Sequence, residues 1–243
     1  MHVLVAVKQV VEPNSRVVIE SDGQDLNVNK LNKVINPYDR VALEEALKLK
    51  DSGWAKTITV VSVTKSEQHD ILFECIALGA DNAVNIVGCE ELSSLNVAKL
   101  LAQFSNEIKP NLILCGSRAI DTDAGVTGSI LANILGWPEM ANVSKITLAE
   151  KKIIVESNLG NNCELLSAEL PVVVTVDMSC NDPRLLNINN IAALEFGKVS
   201  TIVNDLFNND FIPKSFSYSN NDRECNFIDI DDLVSIVEAE GII

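Results

Sequence analysis

Clustered positive charge is what this sequence lacks most clearly. Only 19 Lys and Arg stand against 34 Asp and Glu, which gives a formal net charge of -15. Nucleic-acid backbones and anionic membrane surfaces both attract concentrations of Lys and Arg, so neither is an expected partner. The sequence also has no apolar run of the length that spans a membrane. We therefore expect a globular protein that binds no nucleic acid and is not membrane-embedded.

The residues that build hydrolytic and metal sites are also scarce. The two histidines, His2 and His69, lie near the N-terminus and inside a predicted helix, where neither is placed to serve as the base of a triad. The six cysteines include no CxxC pair, the usual signature of a zinc or iron–sulfur site. We expect reduced thiols, no metal site and no catalytic residue.

Strand-like and helix-like segments alternate through the first two-thirds of the chain. Short apolar runs predict strands at residues 3–7, 57–63, 85–87 and 112–115, and helical periodicity predicts helices at residues 38–50, 66–78, 92–108 and 125–135. A hairpin-like excursion is expected around the Asp22-Gly23 turn. The alternation predicts an α/β fold with a Rossmann-like parallel sheet flanked by helices.

The last third of the chain shows a different pattern. Extended segments at residues 145–148, 153–156, 164–169 and 172–176 predict a β meander that closes the sheet. Residues 188–196 are interpreted as a loop with a short helix, and residues 231–240 as an amphipathic helix. Between these two segments, residues 204–226 predict an extended partner-wrapping arm; an arm folded back on its own domain is the alternative.

A glycine-rich stretch at residues 116–128 is the most informative segment for function. It follows a predicted strand and leads into a helix, and ligands of parallel α/β sheets bind at the carboxyl ends of strands. Backbone N–H groups at a helix start can hold a phosphate, with Thr127 and Ser129 as hydroxyl donors and Arg118 as a cation. Neither GxGxxG nor a Walker A motif is present. An anion site and a loop capped by its own acidic side chains both remain open.

The Asn36-Pro37 step is the second candidate. Proline at a helix start is a plain structural choice, whereas an asparagine before it can hydrogen-bond a base or a ribose. The helix that follows carries Glu44, Glu45 and Lys48 on the side opposite its apolar residues. The residues alone leave both interpretations of Asn36 open.

Motifs covering nearly the whole chain occur in one order. They are residues 3–8, 36–39 with 42–46, 78–81, 119–123 with 127–128, 135–138, 170–176 and 181–184. In this order they resemble the beta subunit of electron transfer flavoproteins. The resemblance implies an electron carrier, rather than an enzyme with its own substrate, that pairs with an alpha subunit. FAD would be shared with that alpha subunit, and a structural AMP would lie in this chain.

The family's functional residues map onto two groups in this sequence. Its AMP site would comprise Ala6, Asn36, Pro37, Tyr38, Asp39, Val63, Gly116, Ser117, Arg118, Ala119, Ile120, Asp121, Thr122, Asp123, Ala124, Gly125, Val126 and Thr127. Its partner-binding loop would comprise Arg184, Leu185, Leu186, Asn187, Ile188, Asn189, Asn190, Ile191, Ala192 and Ala193, with Ile188 at the position of the family's anchoring leucine.

The resemblance also implies a division of the chain and a set of partners. Residues 1–183 would form the nucleotide-binding domain, 184–198 the recognition loop, and 199–243 an arm and helix that contact the alpha subunit. Acyl-CoA or other dehydrogenases would donate electrons, and a membrane quinone oxidoreductase (ETF-quinone oxidoreductase) would accept them. A cytoplasmic location is expected for a bacterial chain and the mitochondrial matrix for a eukaryotic one.

The sequence departs from the family pattern in two places, and two alternative functions remain open. The family's lysine-rich run after the loop is replaced here by residues 192–198, and its Arg-Glu pair in the meander by Ser157-Asn158. One alternative is an electron-bifurcating beta subunit, with a second FAD in place of AMP. The other is a stand-alone adenine-nucleotide-binding sensor.

Overall fold

The computed structural model of the chain describes residues 1–16, 18–19, 26–27, 31–88, 92–149, 152–160, 162–192, 196–204 and 232–239. The chain forms two compact units, a larger one of residues 1–17 and 28–213 and a smaller one of residues 18–27 and 214–243. Apart from Asn204, the predicted arm over 204–226 lies outside the described residues, so its wrapping of a partner stays a prediction.

The described elements follow the alternation that the sequence predicts. The strands are β1 (His2–Ala6), β2 (Gln9–Val11), β3 (Val18–Ile19), β4 (Leu26–Asn27), β5 (Lys33–Ile35), β6 (Thr57–Thr64), β7 (Asn82–Val87), β8 (Leu112–Gly116), β9 (Glu139–Ala149), β10 (Lys152–Leu159), β11 (Asn162–Glu169), β12 (Val172–Val176) and β13 (Val199–Val203). The helices are α1 (Pro37–Asp51), α2 (Asp70–Leu78), α3 (Ser94–Ile108), α4 (Thr127–Leu135), α5 (Ile188–Ala192) and α6 (Leu233–Ala239), with 3₁₀ turns at Met178–Cys180 and Phe196–Lys198.

Nine of the described strands form one sheet in the order β11-β10-β9-β12-β8-β1-β6-β7-β13. The strands from β9 to β13 in this order pair in parallel, and β10 and β11 add an antiparallel extension at one end. The chain lays β6 and β7 on one side of β1 and then returns to place β8 on its other side. This reversal beside β1 is a topological switch point, where parallel sheets form ligand crevices.

Each face of the sheet carries its own hydrophobic core. Val3 and Val5 of β1 point into a core covered by α1 and α2, and Leu4 points into a core covered by α3 and α4. A parallel strand buried on both faces forms a nearly continuous apolar run, which is why the short runs predicted strands correctly. The predicted Rossmann-like α/β fold is confirmed.

The strand at residues 172–176 was expected to continue the meander, and this expectation is wrong. β12 instead lies between β8 and β9 and runs parallel to both. Its five residues are all buried, as a central strand requires, whereas β10 buries only every second residue, as befits a sheet with one covered face. The antiparallel meander therefore consists of β9, β10 and β11.

The segment 199–243, predicted to form an arm and a helix, begins with a strand at one end of the described sheet. β13 pairs in parallel with β7, from Val199 beside Ala83 to Val203 beside Val87. His69 Nε2 lies 2.8 Å from Thr201 Oγ1, and the Thr201 hydroxyl donates to Glu67 at 2.9 Å. The first five residues of the segment 199–243 thus belong to the chain's own sheet.

The smaller unit contains three described elements. β3 and β4 pair antiparallel, with Val18 opposite Asn27, and residues 20–25 between them lie outside the described residues. The short helix α6 lies within the span predicted for the final helix. Among the helices of the described ranges, none is both long and apolar enough to cross a membrane.

Candidate nucleotide site and an exposed loop

A cavity of about 160 Å³ lies at the carboxyl ends of β1, β6 and β8, beside the switch point. The ends of these strands, the loop after β8, the first turns of α3 and the start of α4 form its walls. The residues that line it are Ala6, Val7, Lys8, Asp39, Val61, Val63, Leu92, Ser94, Val97, Leu101, Cys115, Gly116, Ser117, Arg118, Ala119, Thr122, Ala124, Gly125, Val126, Thr127 and Gly128.

Gly116 lets the loop leave β8 in close contact with α1. A Cβ at this position would lie 2.5 Å from Asp39 Oδ1 and 2.6 Å from Tyr38 Cβ, so no larger residue fits without a shift of the backbone. Further along, Gly125 adopts a φ of +62°, a conformation that residues with a side chain rarely adopt. The two glycines allow the loop to turn tightly over the strand ends.

The side chain of Asn36 holds the loop from below. Its Nδ2 donates to the Arg118 carbonyl at 2.8 Å, and its Oδ1 accepts from the Ile120 N–H at 3.2 Å. Asn36 is fully buried and lies outside the cavity lining. Both polar atoms of this amide therefore bond the chain's own loop, and a contact between Asn36 and a ligand stays a prediction.

Asp39 joins the loop to the end of β1. Its Oδ1 accepts from the Gly116 N–H at 2.9 Å and its Oδ2 from the Lys8 N–H at 2.8 Å. Burial raises the pKa of Asp39 to about 7, and the two backbone donors act in the opposite direction. The carboxyl group of Asp39 therefore links two walls of the cavity to the first turn of α1 through backbone hydrogen bonds. Among the salt bridges of the described residues, none involves Asp39.

The end of the cavity at α4 presents hydrogen-bond donors. The N-cap residue of α4, Val126, makes no side-chain hydrogen bond to the N–H groups of the first turn. Ser117 lines the cavity, and its buried Oγ has no hydrogen-bond partner. The hydroxyl of Ser129, expected as a further donor, instead donates to Glu139 at 2.7 Å. An anion at this end would satisfy groups that the chain itself leaves unpaired.

Two cations lie beside this cavity, each with an acidic neighbour. Lys8 Nζ lies 2.7 Å from Asp121, and Arg118 lies 3.3 Å from Asp123 and 5.8 Å from the centre of the Tyr38 ring. These side chains are all at least one-third exposed, so water screens both ion pairs. A ligand phosphate would compete with the two aspartates for the cations.

The structure brings most of the predicted AMP-site residues together around the cavity. Those that do not line it are Asn36, Pro37, Tyr38, Ile120, Asp121 and Asp123. The residues that the sequence interpretation missed include Lys8, two residues after β1, and the wall formed by Ser94, Val97 and Leu101. The alternation itself contained a signal for this wall, because the helix after β7 begins at the same end of the sheet.

A second group of predicted residues forms an exposed segment at 184–192. Leu185 is 90% exposed and Ile188 is 80% exposed, both unusual for large aliphatic side chains. Ala193 lies outside the described residues. Residues 188–192 form α5, in agreement with the predicted loop plus short helix.

The base of this segment is attached to α1. Arg184 forms a two-pronged pair with Glu44, in which Nε donates to Oε2 at 2.8 Å and Nη2 donates to Oε1 at 3.0 Å. The preceding Asn181 donates to Glu45 at 3.0 Å. Glu44 and Glu45 were expected on the side of α1 opposite its apolar residues, yet both are buried. Charged groups are buried where they find such partners, and these partners lie far away in the sequence.

Together these features define an α/β protein with a Rossmann-like sheet and a ligand-sized crevice at its switch point. A family model described as "Electron transfer flavoprotein domain" matches residues 26–203. "Electron transfer flavoprotein subunit beta" from Dictyostelium discoideum is 32% identical over 191 residues, which is 79% of this chain and 76% of the relative. The protein of the same name from Homo sapiens is 32% identical over 206 residues, or 83% and 81%.

A plant relative gives the same result. "Electron transfer flavoprotein subunit beta, mitochondrial" from Arabidopsis thaliana is 34% identical over 193 residues, which is 79% of this chain and 77% of the relative. The chain belongs to the electron transfer flavoprotein beta subunit family. The family assignment therefore confirms the resemblance seen in the motifs and makes electron transport the setting of this protein.

Proposed function

We propose that this chain is the beta subunit of a heterodimeric electron transfer flavoprotein and holds an AMP in the cavity at the strand ends. The observation that carries the AMP assignment is the cavity's division into an apolar part and a donor-rich end. The heterodimer would carry electrons from acyl-CoA or other dehydrogenases to a membrane quinone oxidoreductase. Its location would be the cytoplasm of a bacterium or the mitochondrial matrix of a eukaryote.

The residues of the cavity fit an adenine nucleotide. Val63 and Val97 offer an apolar surface for a base. At the other end, Ser117 Oγ lacks a partner and the N-cap residue of α4 makes no side-chain hydrogen bond to the first turn, which suits a phosphate. In this role the AMP takes no part in electron transfer, and its contacts stabilise the loop after β8.

The redox chemistry in this proposal comes from FAD shared with an alpha subunit. In this proposal the chain contributes binding surface to that assembly. The exposed side chains at 184–192 are proposed to contact the dehydrogenases. Large aliphatic side chains that project from a surface are typical anchors in a partner's pocket.

Nucleotide counting on the purified complex tests the proposal. The chain is produced with the alpha subunit encoded by the same genome, and the released nucleotides are separated chromatographically and quantified. One FAD and one AMP per heterodimer support the proposed function. Two FAD and no AMP per heterodimer would instead establish the bifurcating alternative. A colourless homo-oligomer that does not bind the alpha subunit would establish the stand-alone sensor.

A further inference from the structure

The 184–192 segment is anchored at its base by a buried carboxylate. The Glu44 side chain is 7% exposed and accepts from the Arg184 backbone N–H at 3.0 Å as well as from its guanidinium. The same guanidinium donates to Asp51 at 2.7 Å, and the Arg184 carbonyl accepts from Arg40 at 3.3 Å. Backbone and side chain of one residue are thus both fixed to α1.

A second anchor lies at the far end of the segment. Asn190 Nδ2 donates to the Ala77 carbonyl near the end of α2, at 2.9 Å. Within the segment, Asn187 Oδ1 accepts from the Asn189 N–H at 2.9 Å and stabilises the start of α5. The residues between the two anchors therefore have few ways to move independently of α1 and α2.

Leu185 and Ile188 project from between these anchors into solvent. A side chain that is already held in its bound conformation loses less conformational entropy on association than one on a mobile loop. The planar guanidinium suits this role, because it binds a carboxylate with two parallel hydrogen bonds that fix direction as well as distance, which an ammonium group does not.

We propose that Arg184 is a positioning residue, whose pair with Glu44 presents Leu185 and Ile188 in the conformation that an electron-donating dehydrogenase binds. The inference rests on the proposed function of the 184–192 segment. Arg184 itself needs no contact with the dehydrogenase, because it acts through the backbone of the segment.

The central experiment compares Arg184→Lys with Ile188→Ala in the complete heterodimer. Both are tested as electron acceptors for an acyl-CoA dehydrogenase supplied with its acyl-CoA substrate, and KM for the flavoprotein is separated from kcat. Arg184→Lys keeps the charge but loses the two-pronged pair, and we expect KM to rise roughly tenfold with little change in kcat. Glu44→Gln is expected to act in the same direction, and Asp51→Asn to have a smaller effect because Asp51 is 64% exposed.

Hydrogen exchange provides a readout that does not depend on the dehydrogenase. In the Arg184→Lys heterodimer, the backbone amides of residues 185–192 should exchange faster, while those of β1, β6 and β8 and the FAD content stay unchanged. Faster exchange over the whole sheet would show a general loss of stability and overturn the positioning role.

The outcomes separate this inference from the function on which it rests. A raised KM in both Ile188→Ala and Arg184→Lys supports the inference. A raised KM in Ile188→Ala alone overturns the positioning role of Arg184 and leaves the docking function intact. An unchanged KM in Ile188→Ala overturns docking through this segment, and the role of Arg184 with it.

Discussion

The loop after β8 and the 184–192 segment are both held by the same helix, but in different ways. Asp39 in the first turn of α1 accepts from two backbone N–H groups and is buried. Glu44, in the middle of the same helix, accepts from an arginine that is still one-third exposed. The first arrangement closes an interior cavity, whereas the second supports a projection into solvent.

The two carboxylates differ in the type of hydrogen-bond donor they bind, and each type suits the environment of its carboxylate. Backbone N–H groups are short and rigid, so they bring a loop tightly against the helix, but they carry no full positive charge, and the buried negative charge stays expensive. An arginine compensates the charge and reaches farther, and so it can support a segment that stays exposed. Burial accordingly raises the pKa of Asp39, while hydrogen bonding to Glu44 raises the pKa of Arg184.

The largest expected effect on nucleotide binding comes from filling the contact between the loop and α1. Gly116→Ala places a Cβ 2.5 Å from Asp39 Oδ1, which forces the loop away from the helix. We expect a loss of about 1–3 kcal/mol in stability, as for other overpacked sites, and loss of the bound nucleotide. Thermal unfolding and nucleotide content measure both effects. Gly197→Ala is the matched control, because a Cβ there meets no atom within 4 Å; full nucleotide content in Gly116→Ala would contradict the proposed site.

Asp39→Asn tests the contribution of the Asp39 carboxyl group through the pH dependence of stability. The carboxyl pKa rises from 3.8 in the unfolded chain to about 7 in the folded one, so the folded chain holds the extra proton between these values. Its contribution to stability is therefore greatest below about pH 4 and falls as the pH rises toward 7. At about 1.4 kcal/mol per pKa unit, the decline is at most about 4 kcal/mol.

The asparagine variant cannot ionise, so this decline should disappear. We expect its thermal midpoint to change less than that of the unaltered protein from about pH 5 to about pH 8, a range that covers most of the titration. The exposed Asp51→Asn serves as the control and should leave the pH profile unchanged. Parallel profiles for Asp39→Asn and the unaltered protein would show that Asp39 does not titrate in this range.

A smaller effect is expected at the edge of the cavity. The Lys8–Asp121 pair is 43% and 37% exposed, so Lys8→Gln should cost less than about 1 kcal/mol of stability. Because Lys8 also lines the cavity, the variant should release nucleotide faster on dialysis, and its release should depend less on salt. Equal salt dependence in variant and unaltered protein would remove Lys8 from phosphate binding.

The smallest effect on stability is expected on the projecting segment. Leu185 is 90% exposed, so Leu185→Ser should change the free energy of unfolding by no more than about 0.5 kcal/mol. Nucleotide content should also be unchanged, in contrast to Gly116→Ala. A clear drop in the thermal midpoint would mean that Leu185 packs against the protein in solution and is not available to a partner.

Sequence patterns predicted the individual strands, but not which strands lie side by side in the sheet. The β-branched run at 57–63 predicted β6 almost to the residue, since a strand buried on both faces needs no partner to be identified. The run at 172–176 was also a strand, but its neighbours in the sheet depend on where the chain returns. Its continuous burial favours a central position over the edge of a meander, a distinction that the apolar pattern alone suggests only weakly.

The amino-acid sequence by itself determined the order of strands and helices, the glycine-rich loop at a strand end and the membership of the family. Only the tertiary structure decided that Asn36 supports the loop and that Glu44 and Glu45 are buried. The reason is distance along the chain: Asn36 bonds Arg118 across 82 residues, and Glu44 bonds Arg184 across 140. Periodicity reports the neighbours within one element, whereas the partners of a buried polar group are set by how the elements pack.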